Sequence, residues 1–379
     1  MWASEARDGR AVGRLRGWAV GRLGGWAVGR LGESGWPGPG NTQHKLSPSE
    51  TDLRGYRAHM DDIVLQAATA DDLERICALH NRSEAHDGAP HVLTIAQLHD
   101  ELDDDTVVLA TDVRLALVSG QFAGYVYTLH LPSDVRLERC YVFAQVDPGC
   151  RGRGVGRTMM AWGVRRATEQ LHTSTNDLPK FIRVDAYDFI EGAHRLFARC
   201  GFTPIRWFEE LLRPLTDLPA RIAIDGIEFR PWPDDRDEEC RVVKNAAFED
   251  HWGSTPTSTE KWDHVVRGAS GRPDLSFVAV ERATDRIVAV CMNHRYESDD
   301  ELIGRRDGWI DTLGTSAGWR GRGVASALII ESLHGLAASG LTHASIAVDG
   351  DNPTGAARLY RSLGFEPQQR SITHEIQLS

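Results

Sequence analysis

Three features that mark large protein classes are missing from this 379-residue chain. Its six cysteines are scattered, without a Cys-x-x-Cys pair or Cys/His ligand spacing, which argues against a disulfide framework and a zinc site. Basic residues are not in excess, because 43 Lys and Arg face 54 Asp and Glu, a net charge of −11. No continuous apolar run marks a signal peptide. The sequence predicts a cytoplasmic globular protein with no metal and no nucleic-acid or membrane partner.

The first 59 residues differ from the rest in composition. An eight-residue unit, Ala-Val-Gly-Arg-Leu-Arg-Gly-Trp, starts at Ala11, repeats from Ala19 and recurs in a decayed form from Ala27. Glycine at this frequency disfavours both helix and strand, and the Pro-Gly-Pro-Gly run after Trp36 disrupts any regular structure. We predict a disordered, low-complexity extension over residues 1–59. The alternative is a short arginine and tryptophan interaction tail.

Neither of the common phosphate-loop signatures is present, since no strand leads into Gly-x-Gly-x-x-Gly and no Gly-Lys-Ser/Thr ends a P-loop. A different glycine-rich stretch occurs twice, as Arg-Gly-Arg-Gly-Val-Gly from Arg151 and Arg-Gly-Arg-Gly-Val-Ala from Arg320. Each copy follows an apolar, β-prone run and leads into an amphipathic helix. Glycines between a strand and a helix let backbone N–H groups point at an anion, and flanking arginines suit a diphosphate.

This Arg-x-x-Gly-x-Gly/Ala pattern resembles the pyrophosphate loop of the GNAT superfamily of N-acetyltransferases. The likeness extends over residues 62–379, because both halves repeat one order of elements. The resemblance implies an α/β (α+β) fold of two tandem GNAT (acyl-CoA N-acyltransferase) domains, each a mixed, mostly antiparallel sheet flanked by helices. The tandem, two-domain arrangement is similar to that of mycothiol synthase, in which one half binds acetyl-CoA without catalysing. The predicted segments are a first domain at 62–213, a linker at 214–225 and a second domain at 226–379.

The periodicity of the chain also predicts how each half ends. The first half ends with a strand over Pro204 to Leu212, and the second with a strand over Ile372 to Leu378. An earlier apolar run, Val107 to Ala110, is predicted as a further strand of the first half.

The resemblance implies that acetyl-CoA is the acyl-donor substrate. Its diphosphate would lie on the glycine loops, and its pantetheine amides would pair with the backbone of the fourth strand of each half. The residues implied as contacts are Ala144, Val146, Arg151, Gly152, Arg153, Gly154, Val155 and Gly156 in the first half, and Leu313, Thr315, Arg320, Gly321, Arg322, Gly323, Val324, Ala325 and Asn352 in the second.

The two halves differ at two positions that matter for catalysis in this family. In family members a tyrosine lies beside the thioester sulfur, and Tyr360 matches it. An asparagine of the family commonly contacts the pantetheine arm, and Asn352 matches that residue. The first half has Phe197 and Phe189 at the equivalent positions, and phenylalanine offers neither a proton nor a hydrogen bond. We therefore predict that the second half is catalytic, with Tyr360 as the acid, and that the first is catalytically degenerate. The alternative for Tyr360 is a packed aromatic on an amphipathic helix.

The general base and the acceptor pocket are less well marked. Family members often carry a glutamate at the position of Trp309, and Asp311, two residues on, faces the same side by strand alternation. The alternatives are that Asp311 is only a solvated carboxylate and that a water chain takes the proton. Glu249, His251 and Trp252 lie at the end of the helix predicted for Asp237 to Trp252 and suit a cationic or polyhydroxylated amine. As plain structure they are a helix end with a buried tryptophan and solvated charges.

The favoured function is transfer of an acetyl group from acetyl-CoA to a primary amine of a small molecule by direct attack. Candidate acceptors are an amino sugar, an antibiotic-like amine or a thiol-precursor amine. One alternative is a protein or peptide N-acetyltransferase, and another is a non-catalytic acyl-CoA-binding sensor. The presence of both Asn352 and Tyr360 favours an enzyme over a sensor. The sequence makes no prediction of oligomeric state.

Overall fold

The computed structural model describes residues 62–102, 107–249, 254–350 and 356–378, and the extension predicted for residues 1–59 lies outside them. The first half alternates strands and helices in the predicted order, apart from one short segment. Its strands are β1 (Ile63–Ala67), β2 (Val113–Val118), β3 (Gln121–Leu131), β4 (Glu138–Val146), β5 (Lys180–Tyr187) and β6 (Thr203–Pro214). Its helices are α1 (Leu73–Asp87), α2 (Ile95–Leu102), α3 (Leu109–Asp112), α4 (Val155–Leu171) and α5 (Glu191–Arg199).

The second half repeats this order. Its strands are β7 (Ile227–Pro231), β8 (Phe277–Glu281), β9 (Arg286–Arg295), β10 (Asp307–Thr315), β11 (His343–Asp349) and β12 (Glu366–Leu378). Its helices are α6 (Asp237–Ala247), α7 (Thr259–Arg267), α8 (Asp300–Ile303), α9 (Val324–Ala338) and α10 (Ala356–Ser362).

The twelve strands of the described residues form one continuous sheet in the order β1-β2-β3-β4-β5-β12-β6-β11-β10-β9-β8-β7. Among these described strands, β4 pairs with β5 and β10 with β11 in parallel, and the other pairs are antiparallel. The predicted fold class, mixed and mostly antiparallel sheet flanked by helices, is therefore confirmed. The long helices α4 and α9 cover the sheet, each over its own apolar core.

The last strand of each half does not stay with that half. The strand β6 lies between β11 and β12, and β12 lies between β5 and β6, so the two halves exchange their closing strands. Ion pairs hold the exchanged strands: Arg183 on β5 contacts Glu375 on β12 at 2.8 Å, and Arg206 on β6 makes a bidentate pair with Asp349 on β11 at 2.8 and 2.6 Å. The sequence segments predicted as domains are thus joined through each other's last strand.

The strand predicted for Val107 to Ala110 is wrong. The chain turns there into α3, a single helical turn, because the Asp112 carboxylate accepts a hydrogen bond from the Val108 N–H at 2.8 Å. A local side-chain bond of this kind competes with strand pairing, and the apolar run is too short to outweigh it.

The two halves also meet away from the central strands. The Val92 N–H donates to an Asp299 carboxylate oxygen at 2.8 Å, and the Ser298 hydroxyl donates to the Val92 carbonyl at 3.2 Å. This contact connects the segment between α1 and α2 with the segment before α8.

Candidate active site

Each half presents a glycine loop at the start of its long helix. Gly152 and Gly154 have φ of 77° and 90°, and Gly321 and Gly323 have φ of 73° and 82°, values that disfavour residues with a side chain. The helices α4 and α9 begin directly after Gly154 and Gly323. Among the hydrogen bonds of the described residues, none uses the backbone N–H groups of 152–156 or 321–325. Both loops are therefore preformed cradles for an anion such as a diphosphate.

The first arginine of each loop makes contacts within the protein. The Arg151 side chain donates to the Val146 carbonyl at 3.3 Å and makes a bidentate pair with Asp87. The Arg320 side chain donates to the Thr315 carbonyl at 3.1 Å and to the Ala247 carbonyl at 2.9 Å. These contacts attach each loop to the end of the preceding strand and of the first long helix. The backbone N–H groups, more than these two guanidinium groups, are available to an anion.

The parallel strand pair in each half opens toward its loop. The strands β4 and β5 pair only from Glu138 to Tyr141, and β10 and β11 only from Asp307 to Ile310. Beyond these residues β4 and β10 keep their pairing with β3 and β9 but lose it on the other side. Ala144 and Val146, and likewise Leu313 and Thr315, lie on the strand segments that face these openings.

Tyr360 lies on α10, the helix that follows β11. Its side chain is fully buried, and its ring packs against Phe365 in a T-shaped arrangement with 6.1 Å between centroids. The hydroxyl oxygen has no hydrogen-bond partner among the described residues. Burial raises the pKa of Tyr360, so the phenol stays protonated at neutral pH. Asn352, its predicted companion, lies outside the described residues.

Asp311 lies at a bulge, where the register of β10 against β9 shifts between Ile310 and Thr312. One carboxylate oxygen accepts a hydrogen bond from the Thr312 hydroxyl at 2.9 Å, and the other lies 3.9 Å from Nδ1 of His294. The His294 Nε2 donates to the Val265 carbonyl at 3.0 Å, and its Nδ1 also lies 3.4 Å from the hydroxyl oxygens of Ser270 and Tyr296.

Lys244 on α6 is the third titratable group of this cluster. Burial lowers the pKa of Lys244 to about 8, against the opposing effect of the Asp311 carboxylate. Its ammonium lies 2.5 Å from the Thr257 hydroxyl oxygen and 5.5 Å from the centre of the Phe248 ring. Sequence reasoning missed both Lys244 and His294. No spacing signal marks them, because they meet Asp311 only when α6 and α7 pack on β9 and β10.

The predicted acceptor residues are only partly described. Glu249 is exposed just beyond the end of α6, and His251 and Trp252 lie outside the described residues. Trp309, at the position of the family's glutamate, is buried and its Nε1 has no hydrogen-bond partner among the described residues.

The first half contains a cavity of about 700 Å³ along its own opening. Phe197, on α5, is buried, and Phe189, before that helix, is exposed; both line the cavity. Sequence reasoning missed Asp185 and Tyr187 on β5 and His91 after α1, which line the same cavity.

The described residues contain neither a membrane-spanning helix nor a metal-binding cluster. No described helix is long and apolar enough to cross a membrane. Within the same ranges, no group of three or more His, Cys, Asp or Glu residues is arranged to hold a metal ion. All six cysteines are free thiols, and four of them are buried.

Comparison with known proteins supports this description. The family model described as "Acetyltransferase (GNAT) family" matches residues 237–365. A mycothiol acetyltransferase of Thermobispora bispora is 33% identical over 224 residues, 58% of this chain and 70% of that protein. A mycothiol acetyltransferase of Gordonia bronchialis is 30% identical over 237 residues, 60% of this chain and 70% of that protein.

Solved structures have the same fold. A GCN5-related N-acetyltransferase from Sphaerobacter thermophilus superposes with a TM-score of 0.66 at 24% identity, covering 84% of this chain and 96% of that chain. A tandem GNAT protein from the clavulanic acid biosynthesis pathway superposes with a TM-score of 0.61 at 16% identity, covering 83% of this chain and 98% of that one. The predicted resemblance is confirmed. This chain belongs to the GNAT family of acetyltransferases, in its tandem form, and is an acyltransferase enzyme.

Proposed function

We propose that the enzyme transfers an acetyl group from acetyl-CoA to a primary amine of a small molecule, and that the second half performs the reaction. The observation that carries this proposal is the opening between β10 and β11, which ends at a loop with unoccupied backbone N–H groups. A diphosphate suits those N–H groups, and pantetheine amides suit the unpaired edge of a strand. The family's use of acetyl-CoA supports the same donor here.

In this proposal the donor lies along Leu313 and Thr315, with its diphosphate on residues 320–325. The neutral amine attacks the thioester carbonyl carbon, a C–N bond forms, and the C–S bond to coenzyme A breaks. The departing thiolate takes a proton from the Tyr360 hydroxyl, and the proton lost by the amine restores the phenol through the base or solvent. The buried, protonated phenol supports this role. Asn352 is proposed as a further contact to the pantetheine arm.

Asp311 is proposed as the base that takes the amine proton. Its carboxylate oxygen lies 3.9 Å from Nδ1 of His294, which places an imidazole next to the proposed base. The positive charge of Lys244 on the same face contributes to the local field. His294 is a positioning or relay residue in this scheme, since it is 3% exposed and lies behind Asp311.

The acceptor is proposed to be a small molecule, such as an amino sugar or a thiol-precursor amine. The names of the relatives, mycothiol acetyltransferases, support this class. The net charge of −11 favours a cationic acceptor. Glu249, His251 and Trp252 are proposed to contact it, together with Asp311.

A screen with acetyl-CoA and a panel of amines, read by release of free thiol, tests the activity. Turnover with amino sugars or related small amines supports the proposal. Turnover restricted to peptides would instead identify a peptide acetyltransferase, and acetyl-CoA binding without turnover for any amine would identify a sensor.

Two matched loop variants test which half is catalytic. Gly154→Glu and Gly323→Glu each place a carboxylate at an anion cradle, and the two glycines have similar φ of 90° and 82°, so the backbone strain is matched. We expect Gly323→Glu to abolish transfer and Gly154→Glu to retain a substantial part. The reverse ranking, with both variants folded by circular dichroism, would move catalysis to the first half.

A further inference from the structure

The cavity of the first half extends well beyond the glycine loop. It runs from Gly152 and Gly154, past the opening between β4 and β5, to Leu93 just before α2 and Leu98 within α2. Its volume of about 700 Å³ lies in the range of small-molecule sites. The end far from the loop is the part for which the proposed function gives no role.

Aromatic rings form much of the wall of this cavity. Tyr127 stacks on Phe143 with 4.8 Å between ring centroids, and Tyr187 stacks on Phe189 with 5.2 Å between centroids. The Tyr187 hydroxyl is already used, since it donates to Glu210 at 3.0 Å. These two walls therefore offer a ligand mainly the faces of aromatic rings. Such surface attracts apolar bodies and organic cations.

Four carboxylates line the same cavity, and their partners differ; the first, Glu191, pairs with Arg195 at 2.8 Å. Asp87 pairs with Arg151, and Glu84 accepts a hydrogen bond from the Gln145 side chain. Asp185, on β5, accepts through Oδ1 from the Thr373 hydroxyl of the exchanged strand β12. Within the described part of the chain Asp185 has no further hydrogen bond and no ion pair; the Arg183 guanidinium, which pairs with Glu375, attracts it electrostatically.

We propose that this cavity binds an organic cation, an ammonium group on an apolar, ring-bearing body. The ammonium would lie against the Asp185 carboxylate, and the body between the two aromatic walls. A carboxylate and ring faces attract a cation and repel an anion. The cavity is also lined by arginines, but these belong to the loop and to α4 and α5 at the anion-binding end: Arg151, Arg157, Arg195 and Arg199. The site is separate from the reacting groups proposed for the second half.

Three probes of one shape test the charge preference: 2-phenylethylammonium, the neutral 2-phenylethanol and the anionic 3-phenylpropanoate. Binding to the full chain is measured by titration calorimetry. We expect the cation to bind at least about tenfold more tightly than the alcohol, since a charge-assisted contact contributes at least that factor, and the anion to bind more weakly still. Equal affinities for the three probes, or no binding of the cation, would overturn the proposal.

Variants then locate the site. Asp185→Asn keeps an oxygen for the Thr373 hydroxyl but removes the charge, and we expect it to weaken cation binding by about tenfold or more. Asp188→Asn, on an exposed residue nearby, serves as the matched control and should leave affinity unchanged. Asp311→Asn should leave it unchanged as well. If affinity follows Asp311 and not Asp185, the cation binds in the second half and the proposal is wrong.

Discussion

Replacing Tyr360 by phenylalanine separates a catalytic hydroxyl from a structural one. The change removes a single oxygen and keeps the ring that packs against Phe365. The hydroxyl is fully buried and has no hydrogen-bond partner among the described residues, and such a group costs about 1–3 kcal/mol of folding free energy. Its removal should therefore stabilise the protein by about that amount. In the proposed reaction the same oxygen supplies the proton to the thiolate, and its loss should lower kcat by roughly 10²–10⁴-fold.

The assay combines two measurements on the same protein. Thermal unfolding gives the stability, and thiol release with a productive amine gives kcat and the KM for acetyl-CoA. We expect a higher Tm, a much lower kcat and an almost unchanged KM. A stabilising substitution that removes activity is typical of a residue kept for function.

Tyr187→Phe is a suitable control because its hydroxyl donates to the Glu210 carboxylate at 3.0 Å. Its removal should lower stability, by about 1–2 kcal/mol, and leave turnover in the second half unchanged. If Tyr360→Phe instead keeps full turnover, or loses stability as the control does, Tyr360 is a packed aromatic and the proposed acid is wrong.

Two further predictions concern the first half. Burial raises the pKa of Asp185 from 3.8 to about 6, so the folded state binds this proton more tightly than the unfolded state. The resulting stabilisation is up to about 3 kcal/mol. It is complete below pH 3.8 and is lost as the pH rises through 6. Wild-type Tm minus Asp185→Asn Tm should accordingly grow as the pH falls from 8 to 5, and a constant difference would contradict the cause. Gly163→Ala should destabilise by about 1–3 kcal/mol, because its Cβ would lie 2.5 Å from Cγ1 of Val142; an unchanged Tm would mean that α4 moves freely on the sheet.

Much of the architecture follows from local patterns in the sequence. Alternating and helical periodicities place most strands and helices within a few residues, because those patterns depend on neighbours two to four positions apart. The duplicated loop is equally visible, since positive φ at Gly154 and Gly323 is a requirement of the local backbone. The strand predicted at α3 is wrong because the Asp112 carboxylate accepts a hydrogen bond from the backbone N–H of Val108, four residues earlier.

Other features depend on contacts between distant residues. A strand such as β6 has the same alternation whichever partner it pairs with, so its periodicity alone does not predict that it pairs with β11 and β12. That choice depends on long-range contacts such as the pair of Arg206 with Asp349. The burial of Tyr360 likewise emerges only when α10 packs on the second core.

The two-fold repeat, the element types, the two glycine loops and the contrast of Tyr360 with Phe197 can be read from the sequence. Four features depend on the tertiary structure: the exchange of last strands, the internal contacts of Arg151 and Arg320, the cluster of Lys244 and His294 at Asp311, and the cavity of the first half. The physical reason is range: backbone conformation and periodicity are encoded locally, whereas strand partners, burial and the pKa of a charge depend on groups brought together from distant parts of the chain.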